Sequence, residues 1–272
     1  MNRLPEALDD YLTIRRALGF KLKVVGWVLG KFVAYAEGVG AETITTDLAV
    51  AWAKLPADGS PVWWKFRLDA VRGFAKHLQA LDPRTEVPPT DVLPCAKHRA
   101  TPYFYAEADV VRLMEAAGDL VPVFRAATYQ TLIGLLAVTG MRPGEARRLE
   151  REDIDWINAI LTVRFTKFGK SREIPMDPST LAALKSYDSE RVRRCSRPGA
   201  SEYFFVSIRG TQLLGPNVDR TFHRLVQRAD LPPHSPRCRP RLHDLRHTFA
   251  IRTLIAWYRE GLNVQAMLPR RS

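Results

Sequence analysis

Five prolines crowd into one short stretch, Pro83, Pro88, Pro89, Pro94 and Pro102. No helix runs through such a stretch, because each proline removes a backbone donor and clashes with the turn before it. The chain of 272 residues is therefore divided. Residues 1–81 and 102–272 must each fold around apolar positions of their own, with 82–101 as a linker. A hydrophobic content of 46% supplies enough apolar material for two cores.

In the first part, Leu4, Leu8, Tyr11 and Leu12, then Val25, Val28, Leu29, Phe32 and Ala36, recur at helical spacing. Thr46 is placed to cap a third helix with Leu48, Trp52 and Leu55 inward. Ser60-Pro61 opens a fourth with Trp64, Leu68, Val71, Phe74 and Leu78 inward. Residues 1–81 thus read as a four-helix bundle. On the fourth helix Lys65, Arg72 and Lys76 share one flank. That flank reads either as a solvated face or as a surface that contacts nucleic-acid phosphates.

In the second part, Val110, Leu113 and Met114 keep a helical period, and a strongly apolar helix follows from about Pro122 to Thr139. Gly140 ends it, and Pro143 is placed to begin the next short helix. Arg142 is thereby held at a corner, where its guanidinium fork can be offered to a pair of phosphate oxygens. After the acidic turn Glu152-Asp153-Ile154-Asp155, the stretches from Ile160 to Phe165 and from Arg172 to Pro175 have strand composition. Lys167-Phe168-Gly169-Lys170 is the hairpin turn between them, and a lysine there either donates a proton into a neighbouring site or simply covers the turn. The fold class implied is mainly α with one small β-hairpin.

Charge narrows the partners. Lys and Arg number 41 against 29 acidic residues, a formal net charge of +12, which favours an anionic polymer. The excess is 11 − 8 = +3 in 1–81, 3 − 3 = 0 in 82–101 and 27 − 18 = +9 in 102–272. Three scattered cysteines, Cys95, Cys195 and Cys238, outline neither a disulfide framework nor a paired metal knuckle. The longest apolar run, Leu132 to Val138, is too short to span a bilayer, and the acids Glu6, Asp9 and Asp10 argue against a signal peptide at the start. A cytoplasmic setting without a membrane role is expected.

The densest motif is Arg241-Leu242-His243-Asp244-Leu245-Arg246-His247-Thr248-Phe249-Ala250, which enters a helix continuing to Trp257. His243 and Arg246 are three apart, so an imidazole and a guanidinium leave one helix face and address the same anion. Arg191, Arg193, Arg194 and Arg197, followed by Pro198-Gly199, read as an exposed basic loop. His234, Cys238 and His243 do not read as a zinc site, because Pro236 and Pro240 make that stretch irregular and no fourth ligand is evident.

The order Thr139-Gly140-Met141-Arg142-Pro143-Gly144-Glu145, then a lysine on a hairpin, then His243-x-x-Arg246-His247-Thr248-Phe249-Ala250 resembles the tyrosine recombinases of the phage-integrase family. The resemblance implies a helical core-binding domain over 1–81 and a catalytic domain over 102–272, closing on DNA as a C-shaped clamp. It implies that Arg142 and Arg246 hold the scissile phosphate, that Lys167 protonates the departing 5′ oxygen with Lys170 as its rival, and that His243 accepts the proton of an attacking tyrosine. Glu145 would orient the arginine corner, Lys65, Arg72, Lys76 and Lys170 would contact DNA, and neither metal nor cofactor would be required.

The sequence departs from the family after Pro269, where Arg270-Arg271-Ser272 stands before any Leu-Gly-His box or tyrosine nucleophile. The expectation is a recombinase chain without its own nucleophile. It would bind double-stranded DNA beside the bacterial nucleoid, with further copies or an intact recombinase as partner, or would occupy recombination sites as a non-catalytic clamp.

Overall fold

The computed structural model describes residues 4–55, 57–93, 100–164, 171–195 and 201–267. The chain forms two compact units, Met1–His98 and Arg99–Ser272.

The first unit contains α1 (Leu4–Ala17), α2 (Lys23–Gly38), α3 (Thr46–Lys54) and α4 (Pro61–Gln79). Its core is the set the helical spacing selects, with Leu4, Leu8, Val28, Phe32, Leu68, Val71 and Phe74 all buried. Ser60 caps α4 by accepting from the Trp63 amide, and Pro61 follows in the first turn. The cap of α3 lies one residue earlier than expected, with Thr45 Oγ1 accepting from the Leu48 amide. Trp52 packs edge-on against Phe32 with ring centroids 5.1 Å apart. Leu55 instead points to solvent, because α3 has already ended at Lys54.

The expected basic flank of α4 is not a continuous surface. Arg72 is 8% exposed. Its Nε donates to the Pro88 carbonyl at 2.6 Å and its Nη2 to the Pro89 carbonyl at 2.5 Å, while Nη1 pairs with Asp69. Arg72 is therefore corrected from a phosphate contact to an internal tie. Lys65 is also engaged, donating to the Thr90 carbonyl at 3.2 Å and reaching Asp69. Lys76 alone of the three is exposed. The physical reason is that a proline-rich segment pairs with no ladder, so its carbonyls are satisfied by side chains. The same segment adds Leu93 to the core, packs Val87 and Val92 against it, and offers a Glu86 carboxylate oxygen to the Thr46 amide at 2.7 Å. The prolines end α4, but residues 82–93 belong to the first unit.

The second unit contains α5 (Glu107–Gly118), α6 (Val123–Thr139), α7 (Pro143–Ala146), a 3-10 turn (Arg151–Asp153), β1 (Ile154–Asp155), β2 (Ile160–Val163), β3 (Arg172–Pro175), α8 (Pro178–Cys195), α9 (Gly215–Arg228), α10 (Asp244–Arg259) and α11 (Val264–Met267). The strands form one antiparallel sheet in the order β1-β2-β3, with Leu161 opposite Ile174 and Val163 opposite Arg172. Helix α6 packs against α5, α8 and α10. Burial on several sides explains why its sequence is apolar nearly all round.

Helix α8 absorbs most of the arginine run that the sequence suggested was a loop. Its inward seam runs Leu181, partly buried, then Leu184 and Tyr187, both buried, and Arg191 takes the next position. The Arg191 guanidinium is buried and donates to the carbonyls of Tyr203 and Ser201. Arg193 and Arg194 follow in the last turn, while Arg197 lies outside the described residues. An arginine inside an apolar seam breaks the hydrophobic period, which hides the helix from sequence reading. Among the described residues no helix is long and apolar enough to cross a membrane.

Two substitutions on α4 should separate the internal tie from the surface cation. Arg72→Ala should lower the unfolding free energy by about 2 kcal/mol, since it strands two partly buried carbonyls. Lys76→Ala should change it by less than about 0.5 kcal/mol. Urea denaturation of both variants beside the wild type measures the difference.

Candidate active site

The site is built at the C-terminal end of α6. The helix ends on Gly140, whose φ of +59° is open to glycine at no steric cost. A Cβ at this position would overlap the Phe249 ring of α10. The same residue's carbonyl accepts from Arg246 Nη1 at 2.6 Å. One glycine therefore joins the end of α6 to the start of α10. Two residues on, Arg142 is the N-cap of α7 with extended backbone, and Pro143 opens the helix.

Glu145 closes the corner. It is buried, and one carboxylate oxygen accepts the Arg142 amide at 2.9 Å while the other accepts Arg142 Nη1 at 2.7 Å. Arg172, the first residue of β3, adds Nη2 at 2.7 Å. Burial works to raise the Glu145 pKa, but the hydrogen bonds from Arg172 and from the Arg142 amide and side chain overcome it and hold the value at about 2. The carboxylate is thus ionised at neutral pH and fixes both guanidinium groups. Arg172 was read only as a strand residue. Its signal was its place at the base of the hairpin, opposite Val163.

Helix α10 is anchored at the end that carries the motif, where Asp244, Leu245 and Thr248 are buried. Thr248 Oγ1 accepts from the Tyr105 amide at 3.1 Å, the Tyr105 hydroxyl donates to the Arg241 carbonyl at 3.0 Å, and Arg241 pairs with Asp244 at 2.9 Å. His243 is the N-cap residue and faces solvent, with its ring edge-on to His247 at 5.1 Å. Partial desolvation, then the neighbouring His247, keep the imidazole pKa below its ordinary value, which favours the neutral ring. Burial and the charge of Arg142 lower the pKa of Arg246, which places the two arginines in one electrostatic neighbourhood. His247 was not singled out in the sequence. The motif spacing of four from His243 was the available signal.

The structure therefore brings together Arg142, Glu145, Arg172, Arg246 and His243. Lys167 and Lys170 lie outside the described residues. His234 stacks on Tyr103 at 4.5 Å, and the Cys238 thiol donates to the Pro102 carbonyl. Two tyrosines near the motif are not placed as nucleophiles. Tyr105 is buried with its hydroxyl engaged, and burial pushes its phenol well above the ordinary range. Tyr258 is exposed on α10 but follows Arg246 by 12 residues (258 − 246), about 18 Å along a helix.

Three guanidinium groups around one buried carboxylate leave the site net positive, and the geometry is fixed before any ligand arrives. Such a cluster suits a tetrahedral or pentacoordinate phosphate, whose spread negative charge preorganised cations stabilise.

Two outcomes follow. Because the folded Glu145 pKa is depressed, its stabilisation is complete above about pH 4.5, the unfolded value, and is lost as pH falls toward about 2. Between pH 5 and pH 2 the wild type should lose about 3 kcal/mol more stability than Glu145→Gln, measured by chemical denaturation across that range. Gly140→Ala should cost at least about 2 kcal/mol, since it combines a left-handed backbone with overlap on Phe249, and a shifted thermal midpoint would register it.

Comparison with known proteins gives the family. The model of the phage integrase family matches residues 104–266. A Sinorhizobium fredii protein named as an integrase/recombinase, y4rB, is 42% identical over 274 residues, covering 99% of this chain and 87% of its own. Among solved structures, the Tn1549 transposon integrase in complex with transposon right end DNA aligns with a TM-score of 0.61 at 18% identity, over 96% of this chain and 89% of that one. A lambda integrase dimer bound to a COC' core site aligns with a TM-score of 0.60 at 19% identity, over 98% and 94%. Both show the same fold. With the arginine corner and the His-x-x-Arg helix at its centre, the chain belongs to the phage integrase family of site-specific tyrosine recombinases.

Proposed function

We propose that this chain binds duplex DNA at recombination sites and activates one phosphodiester for attack by a tyrosine hydroxyl. The observation that carries the reading is the joining of Arg142, Glu145 and Arg246 around Gly140, which presets two guanidinium groups for one phosphate. In the reaction the tyrosine oxygen forms a bond to phosphorus and the bond to the 5′ oxygen breaks. His243 takes the proton from the tyrosine, and Lys167 or Lys170 returns one to the departing 5′ oxygen. Arg142 and Arg246 stabilise the added charge on the non-bridging oxygens. The broken strand is stored as a phosphotyrosyl ester.

Neither Tyr105 nor Tyr258 is placed to attack, so the attacking hydroxyl belongs to another tyrosine, which an intact recombinase on the same DNA would supply. Work on chromosomal or mobile-element DNA sets the protein beside the bacterial nucleoid. Lys76 stays available as a backbone contact from the first unit, and Lys65 only if it releases the Thr90 carbonyl.

The placement of Tyr105 and Tyr258 also favours a second reading, a non-catalytic clamp that occupies sites and competes with complete recombinases. Mixed assemblies distinguish the two. With a nicked duplex and an intact partner, Arg142→Ala or Arg246→Ala should abolish cleavage on this chain's side by at least about a hundredfold while duplex affinity falls less than about tenfold. Loss of affinity alone, with no cleavage on that side by the wild type, would establish the clamp. A chain that bound no duplex would sink both.

A further inference from the structure

A second cationic feature lies away from the reaction centre. A cleft of about 470 Å³ opens between the N-terminal end of α6, the loop that follows Phe205, and one face of α9. Four arginines line it, Arg125, Arg209, Arg220 and Arg224, and among the described residues no carboxylate does. None of the four forms an ion pair among the described residues. Arg125 is held in place, with its Nη2 donating to Thr221 Oγ1 at 3.0 Å and its guanidinium above the Tyr129 ring. Thr221 is itself buried. Arg220 and Arg224 stand one helical turn apart on the exposed face of α9.

Four like charges around one concavity repel one another, and several other arginines of this unit are compensated. Arg142, Arg151, Arg164, Arg172 and Arg241 all rest on carboxylates. A cleft that gathers guanidinium groups without an acid concentrates positive potential and lowers its own energy when an anion enters. Guanidinium forks match phosphate oxygens in particular, two donors to two acceptors. The cleft is not the reaction centre. It adjoins the start of α6, whereas Arg142 follows the end of that 17-residue helix, about 24 Å away along the axis.

We propose that this cleft is a separate phosphate-binding site, which takes phosphate groups of a nucleic-acid backbone beyond the scissile position. The backbone assignment rests on the reading of the chain as a DNA-acting protein; the anion site itself does not. A phosphate held here would add affinity without sequence readout and would fix the register of the bound duplex.

The test uses the full chain and Arg220→Gln/Arg224→Gln, both exposed and outside the arginine corner, with Arg142→Ala as a control. Two probes are titrated, inorganic pyrophosphate by calorimetry and a 30-base-pair duplex by fluorescence anisotropy across a salt series. The double variant should bind pyrophosphate at least about tenfold more weakly, and the slope of log affinity against log salt should fall by about 2, near 0.9 for each lost phosphate contact. Arg142→Ala should leave the effect of the double substitution in place, which separates a failure of this site from a failure at the reaction centre. Loss of pyrophosphate binding with an unchanged duplex slope would retain the site and assign it a free phosphate ligand. The proposal is overturned if both probes bind the double variant as they bind the wild type.

Discussion

The arginine corner depends on how α6 ends. Gly140 takes a backbone conformation that a side chain would oppose, leaves room for Phe249 against its α-carbon, and turns its carbonyl to Arg246. Two distant stretches of sequence, 106 residues apart (246 − 140), are thereby held at hydrogen-bonding distance. Arg142 begins the next helix two residues after that joint, so its position is inherited from the same turn. The glycine thereby ties the arginine corner to the His243 helix.

Electrostatics completes what the turn begins. Glu145 is buried between two guanidinium groups and stays ionised, so it acts as a fixed strut rather than a titrating group. It removes part of the repulsion between Arg142 and Arg172 but leaves the cluster net positive. Desolvation, then His247, hold the His243 pKa below its ordinary value, and the charges of Arg246 and Arg241 act in the same direction. The result is a site in which positive charge is concentrated with an imidazole beside it.

Cations in the two units are used differently. In the first unit Arg72 is turned inward to hold the proline-rich segment, and Lys65 is tied to the same segment. In the second unit Arg191 fills a place in an apolar seam. These side chains count toward the basic composition without being offered to an anion. Net charge therefore overstates the surface available to an anion, and burial decides which arginines remain.

Sequence by itself determined the helical bundle of the first unit, the apolar helix ending at Gly140, the two strands, and the two motifs around Arg142 and His243-x-x-Arg246. Each is encoded locally, by period, by a cap, or by a residue whose backbone allows only one outcome. Tertiary structure alone decided that Arg172 reaches Glu145 across 27 residues (172 − 145), that Arg72 faces the proline carbonyls, and that α8 carries a buried arginine. A long charged side chain has the same local signature whether it ends in water, on a carbonyl or on a carboxylate. Only the packing of distant segments removes the water and supplies the partner.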